Sequence, residues 1–265
     1  MCDDLLEGSG EWLLERNDFR QWEFSTSSTV LWLHGIPGSG KSKLVACIIG
    51  HLQKSPEFLP GNFAFFYCMR GDSDKERSNP EEVIRSLLRQ LAFHDDPSNS
   101  YNPFNASNSL KDPVAKLYKE KAAHSQKTRH EVEKFTKKEC IDILTELLKG
   151  CSTTIIIDAF DELDRSTRGL LFQVFDTING ELRKSKDGGI VRLLVSSRND
   201  QDIVRKLANY HNIEIGVEDN KKDIERFVYV EVAKAISSGM LLSGNVSQDL
   251  QSEIESVLIK KSRGM

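Results

Sequence analysis

The chain has 265 residues, with 36 Lys and Arg against 40 Asp and Glu and a formal net charge of −4. That length admits one large core or a core with a small appendage, and the charge gives no general attraction to nucleic acid. No apolar run approaches the ~20 residues that span a bilayer, and the N-terminus lacks a signal peptide's apolar centre, so a cytoplasmic protein is expected. The five cysteines are scattered without a Cys-x-x-Cys pair, which reads as free thiols in a reducing compartment, with Cys47 and Cys140 on helices.

In chain order, residues 9–24 read as one short aromatic-rich helix whose apolar set is Trp12, Leu13, Phe19 and Trp22. Thr29 to His34 is β-branched and apolar, as a buried strand is. After a glycine-rich stretch, Leu44, Val45, Ile48, Ile49 and Leu52 recur at helical spacing. Phe63 to Tyr67 is a second strand. Asn79-Pro80-Glu81-Glu82 starts a helix, with Asn79 as cap, Pro80 in the first turn and Glu82 closing a capping box. From His94 to Pro113 the composition turns to Asn, Ser, Asp and Pro, and the charged stretch on to Lys134 reads as a flexible, partly helical excursion. Thr136 and Glu139 form a second capping box, and Gly150 is that helix's stop. Strands follow at 153–158, 191–197 and 213–217, with helices between them and two amphipathic helices after. Strands alternating with helices imply an α/β three-layer sandwich around a five-stranded parallel sheet. Its expected divisions are a helical lead-in (1–28), a core (29–218) with an insertion at about 94–134, and a helical segment (219–265).

Gly35-Ile36-Pro37-Gly38-Ser39-Gly40-Lys41-Ser42 fits the phosphate-binding pattern Gly-x4-Gly-Lys-Ser/Thr in full, between a strand and a helix as that pattern requires. Glycines let the backbone aim several N–H groups at one anion, at the positive end of the next helix. Lys41 is expected to reach the β- and γ-phosphates, and the Ser42 hydroxyl to ligate Mg²⁺. The second signal is Ile155-Ile156-Ile157-Asp158-Ala159-Phe160-Asp161-Glu162. A buried strand ending in an acid puts that acid at the sheet's C-terminal edge, where ligands of open α/β sheets sit. Asp158 is therefore a candidate Mg²⁺ partner, and Asp161 and Glu162 are candidates to position or deprotonate a water. If the fourth strand lies beside the loop strand, Arg198 at its end meets the γ-phosphate. Asn220-Lys221-Lys222-Asp223 spells a guanine-recognition motif, but its place past a turn reads better as a helix cap, Asn220, with Asp223 in the first turn.

These features together resemble the NACHT family of signal-transducing NTPases, most closely its fungal members. The likeness rests on Trp12-Leu13-Leu14-Glu15, Leu31 to Ser42, Asp158-Ala159-Phe160-Asp161-Glu162-Leu163, Leu193 to Arg198 and the helix carrying Asp223, Ile224, Phe227 and Val228, and it covers residues 9 to 265. An AAA+ motor would put glutamate directly after Asp158, where Ala159 stands. The resemblance implies a switch that binds ATP or GTP with Mg²⁺, rests with ADP or GDP, and hydrolyses slowly. It also implies a place inside a larger receptor of incompatibility or programmed cell death, between an effector domain and a repeat sensor. A winged-helix region is expected after Met265, and oligomerisation on activation. The rivals are an AAA+-like motor ATPase, a small-molecule kinase, and a scaffold that binds no nucleotide.

Overall fold

A computed structural model describes residues 6, 8–55, 62–70, 79–93, 110–216 and 218–262. Five strands, β1 (Thr29–Gly35), β2 (Phe63–Tyr67), β3 (Ser152–Asp158), β4 (Ile190–Ser197) and β5 (His211–Ile215), form one parallel sheet in the order β2-β3-β4-β1-β5. The expected α/β sandwich is the observed fold. β4 pairs with β1 as anticipated, Trp32 opposite Val195 and His34 opposite Ser197. Every pairing is parallel, so the C-terminal ends of β1, β3 and β4 lie side by side, at the edge where the loop and the acids emerge.

Helices cover both faces. One is packed by α1 (Glu11–Leu14), α2 (Asn17–Glu23) and α3 (Lys41–Lys54) through Leu13, Phe19, Trp22, Leu44 and Ile48 against Leu31, Leu33 and Ile156. The other is packed by α4 (Pro80–Leu91), α6 (Lys137–Leu148), α7 (Arg165–Lys184) and α8 (Gln201–Leu207) against Trp32, Ile155, Ile157 and Val195. The alternation of Leu31, Leu33 with Trp32 shows why: successive strand residues serve opposite cores. Burying Phe19 fully is worth about 1.5–3 kcal/mol. Trp22 is equally buried, and its indole N–H finds the Leu193 carbonyl at 3.1 Å.

Several local expectations change. The lead-in is two helices, not one: Arg16 is extended (φ −64°, ψ 137°), and Asn17 and Asp18 restart the helix after it. Asn79 caps α4 by accepting from Glu81 N at 2.9 Å, but Glu82 closes no box. It is held instead by Arg85 at 2.7 Å and Lys134 at 3.3 Å, because a nearby cation outcompetes a backbone amide for the carboxylate. The Thr136–Glu139 box forms as read, ahead of α6. Within the expected excursion, α5 (Asp112–Thr128) is an ordered helix; residues 94–109 lie outside the described residues. β5 begins two residues earlier than expected, and Val217 is outside the described residues. Two long helices, α9 (Lys221–Ser237) and α10 (Gln248–Ser262), follow.

The outer strand β2 is finished by a side chain. The Gln90 amide of α4 accepts from Phe65 N at 3.0 Å and donates to Phe65 O at 2.8 Å, as a neighbouring strand would.

Candidate functional site

The loop between β1 and α3 is shaped by close backbone approach. A Cβ on Gly35 would stand 2.8 Å from the Ile215 carbonyl oxygen and 3.0 Å from Ser39 Oγ, so only glycine lets β5 pass. Gly38 and Gly40 have φ of 78° and 81°, the left-handed region, which lets the backbone curl round a hollow, with Ser39 N donating to the Ile36 carbonyl at 3.2 Å. Lys41 folds across that hollow: its ammonium donates to the Gly35 carbonyl at 2.9 Å, the Ile36 carbonyl at 2.8 Å and Ser39 Oγ at 3.3 Å. Burial lowers the Lys41 pKa; the Asp161 charge opposes that and Arg198 adds to it.

The facing wall is made by the ends of β3 and β4. Asp158 is 2 % exposed; burial pushes its carboxyl above the ordinary range, opposed by hydrogen bonds from Ser196, Ser42 and the Ala159 amide and by the Lys41 charge. Ser196 Oγ donates to Asp158 Oδ1 and accepts from Ala159 N at 3.0 Å. Ala159 is itself left-handed (φ 53°, ψ 43°), a conformation costing about 1–2 kcal/mol for a residue with a Cβ. That bend separates the two acids: Asp158 is turned to the loop, and Asp161 to β4. Asp161 receives Arg198 twice, N to Oδ1 at 3.0 Å and Nε to Oδ2 at 3.1 Å. Glu162 Oε1 lies 3.8 Å from the same guanidinium, and its Oε2 accepts from Arg70 N at 2.9 Å.

The structure thus gathers Lys41, Ser42, Asp158, Asp161, Glu162 and Arg198 at one sheet edge. What sequence reading did not foresee is that Arg198 rests on the acids. Ser196 was missed too; its only signal is a small polar pair, Ser196-Ser197, closing an apolar strand.

Asn220 is corrected. It holds the N-cap position of α9 without a side-chain cap, and its amide instead donates to the Ser39 carbonyl in the loop. Asp223 does not sit idle in the first turn either: its Oδ2 accepts from Gly10 N at 2.9 Å and from the Trp12 indole at 3.2 Å. α9 is therefore tied to both the loop and the lead-in. Beside these ties opens a largely apolar cleft of about 690 Å³, between the loop glycines, α9 and α10.

Magnesium takes hard oxygen donors, commonly one or two carboxylates together with substrate phosphates. The Ser42 hydroxyl and the Asp158 carboxylate, neighbours at the site, are a donor set of that kind. Among the described residues no group of three or more His, Cys, Asp or Glu stands ready for a metal. Nor is any helix there long and apolar enough to cross a membrane.

A sequence profile of the family described as "Nephrocystin 3, N-terminal" matches residues 8–198. The chain is 32% identical over 206 residues to the vegetative incompatibility protein HET-E-1 of Podospora anserina, a match covering 77% of this chain and 13% of that protein's length. The ORC2 protein of Aeropyrum pernix, solved as ADPNP-ADP complexes, superposes with a TM-score of 0.50 at 13% identity, covering 96% of this chain and 69% of the other, which is a likeness of fold. With residues 8–198 matched end to end from the lead-in helices to Arg198, the chain belongs to the Nephrocystin 3 N-terminal family and is a NACHT-type domain.

Proposed function

We propose that this domain is a Mg²⁺-dependent nucleotide switch that binds ATP or GTP, hydrolyses it slowly, and rests with the diphosphate. The observation that carries the reading is the place of the buried Asp158 at the sheet edge beside the phosphate loop, where Ser42 and the Lys41 charge both favour its ionised form. A buried carboxylate beside a phosphate loop is costly for the fold, and Ser42 and Asp158 would hold a divalent cation there. When bound, that cation neutralises phosphate charge and orients the terminal oxygens.

The chain's own groups divide the remaining work. The amides of Gly38 to Lys41 hold the phosphates, and the Lys41 ammonium leaves its three loop acceptors for the β- and γ-oxygens. The cleft beside Gly38 to Gly40, walled by Gly10, Asn220, Ile224 and Phe227, receives the nucleoside. Arg198 swings from Asp161 to the γ-phosphate, and the freed Asp161, with Glu162, orients a water and accepts its proton. Breaking the Arg198–Asp161 pair each time is consistent with slow turnover, because the acid is engaged until the triphosphate draws the arginine away.

In this reading the domain belongs to a cytoplasmic NLR-like receptor, between an effector domain and a repeat sensor, that signals in incompatibility or cell death and oligomerises when triphosphate is bound. The likeness to HET-E-1 supports it, although the chain spans only 13% of that relative's length. Calorimetric titration with ATP and with GTP, with and without Mg²⁺, tests the core of it. Wild type should bind one of them in a Mg²⁺-dependent way, and Asp158→Ala should keep only the metal-independent part. Identical titrations for both proteins would remove Asp158 from the site.

A further inference from the structure

Arg168 lies in the first turns of α7, just beyond the acidic turn, and the fold removes it from water: its side chain is 5 % exposed. It reaches out of α7 to the segment joining β4 to α8. One terminal nitrogen donates to Asp200 Oδ2 at 2.8 Å. Its Nε stands 3.1 Å from Asp202 Oδ2, near enough for charge attraction, though its N–H is not aimed at that oxygen. A buried guanidinium costs several kcal/mol unless paired, and an apolar residue of similar volume often packs as well or better, so stability alone gives no reason for a charge here.

Its position does. Asp200 is two residues from Arg198. It occupies the N-cap position of α8 yet makes no cap bond, its carboxylate being committed to Arg168. The Arg198-Asn199-Asp200 turn is thus fastened at both ends, Arg198 on Asp161 and Asp200 on Arg168. Both anchors belong to one continuous stretch, the acidic turn running into α7 through the Asp164 cap.

We propose that Arg168 is a positioning residue that pins the β4–α8 turn to α7 and thereby sets the reach of the Arg198 guanidinium over the phosphate loop. The inference rests on the reading of Arg198 as the γ-phosphate contact. With the turn pinned, exchanging Asp161 for a phosphate needs only rotation of one side chain. Unpinned, the backbone under Arg198 drifts, and the contact made only with a triphosphate weakens while diphosphate contacts stay.

The test is the ratio of affinities for triphosphate and diphosphate, by calorimetry with the β,γ-imido triphosphates of adenosine and guanosine and with ADP and GDP. Arg198→Ala should lower that ratio about tenfold or more. Arg168→Met and Asp200→Asn should each lower it by about three- to tenfold with diphosphate affinity unchanged, Arg168→Lys should recover part of the loss, and Asp200→Asn added to Arg198→Ala should lower it no further. A merely structural role would weaken both nucleotides in step. Should Arg168→Met fail to fold, Asp200→Asn, at a half-buried position, decides the matter. A folded Asp200→Asn protein with the wild-type ratio, beside an Arg198→Ala protein that has lost it, overturns the positioning role alone. An unchanged ratio in Arg198→Ala removes the γ-phosphate reading beneath it, and the inference falls with that reading.

Discussion

The two walls of the site are built in opposite ways. The phosphate loop is made of backbone: glycines at Gly35, Gly38 and Gly40 create its shape, and its one ion, Lys41, is held by carbonyls. The acidic wall is made of side chains from three segments, with Ser196 under Asp158, Arg198 across Asp161 and Arg168 behind Asp200. The backbone-made wall takes its shape from residues adjacent in sequence, with Asn220 reaching it from afar, and at Gly35 an added Cβ would meet the Ile215 carbonyl. A side-chain wall depends on partners 30 to 40 positions apart, |i−j| of 37 for Arg198 with Asp161 and 32 for Arg168 with Asp200, and each partner can be removed alone.

Removing the loop's ion should have the largest effect on function. Lys41→Ala is expected to lower triphosphate affinity by about 10²-fold or more, since charge-assisted bonds to two phosphates are lost. Its melting temperature should change little, because Lys41 contacts only the loop; calorimetry alongside thermal denaturation checks both halves. On the other wall, Asp161→Asn keeps shape and loses charge, so binding should persist while hydrolysis falls by about 10²-fold. A phosphate-release assay reads this, and normal turnover would transfer the role to Glu162.

Ser196→Ala sharpens the comparison by leaving both Asp158 and the Ala159 amide short of a partner in a buried place. A loss of about 1–3 kcal/mol in urea unfolding is expected. A stability within error of wild type would mean that the left-handed Ala159 bend holds without that hydroxyl.

The smallest effect lies at Asp164, which caps α7 through Ser166 N at 2.8 Å and Thr167 N at 3.0 Å, with both hydroxyls added. Asp164→Ala should cost about 1 kcal/mol at neutral pH. Those hydrogen bonds, the Ser166 hydroxyl first, hold the carboxyl well below the usual range in the folded chain. A lowered folded pKa means that the contribution is complete above the unfolded value of about 3.9 and disappears as pH falls below it. Unfolding curves of wild type and variant should therefore converge in acid.

The same contrast explains what could be read from the residues alone. Much of what is local came through: the loop's place between a strand and a helix, the acid ending an apolar strand, the Thr136–Glu139 box, the alternation that gives a parallel sheet; the break of the lead-in at Arg16 did not. Other readings went astray where a competing side-chain partner decided the outcome. Glu82 preferred Arg85 and Lys134 to its own helix start, and Asn220 preferred the loop carbonyl of Ser39, 181 positions away, to capping α9. Arg168 gave no signal at all, because an arginine on a helix reads as a solvated face until α8 is seen to cover it.

The Gln90 amide that finishes β2 also makes α4 and the sheet margin inseparable. Phe63-Ala64-Phe65-Phe66-Tyr67 is an uncharged aromatic run, the kind of segment that recruits further copies when its hydrogen-bonding row is bare. Any event that lifts α4, whether heat, denaturant or a cavity at Leu87 or Leu88, withdraws both hydrogen bonds that Gln90 makes to Phe65 in one motion and opens that position of the strand to other chains. Loss of this helix should therefore end in clumping rather than in recoverable opening, so the domain's shelf life is governed by how fast α4 detaches.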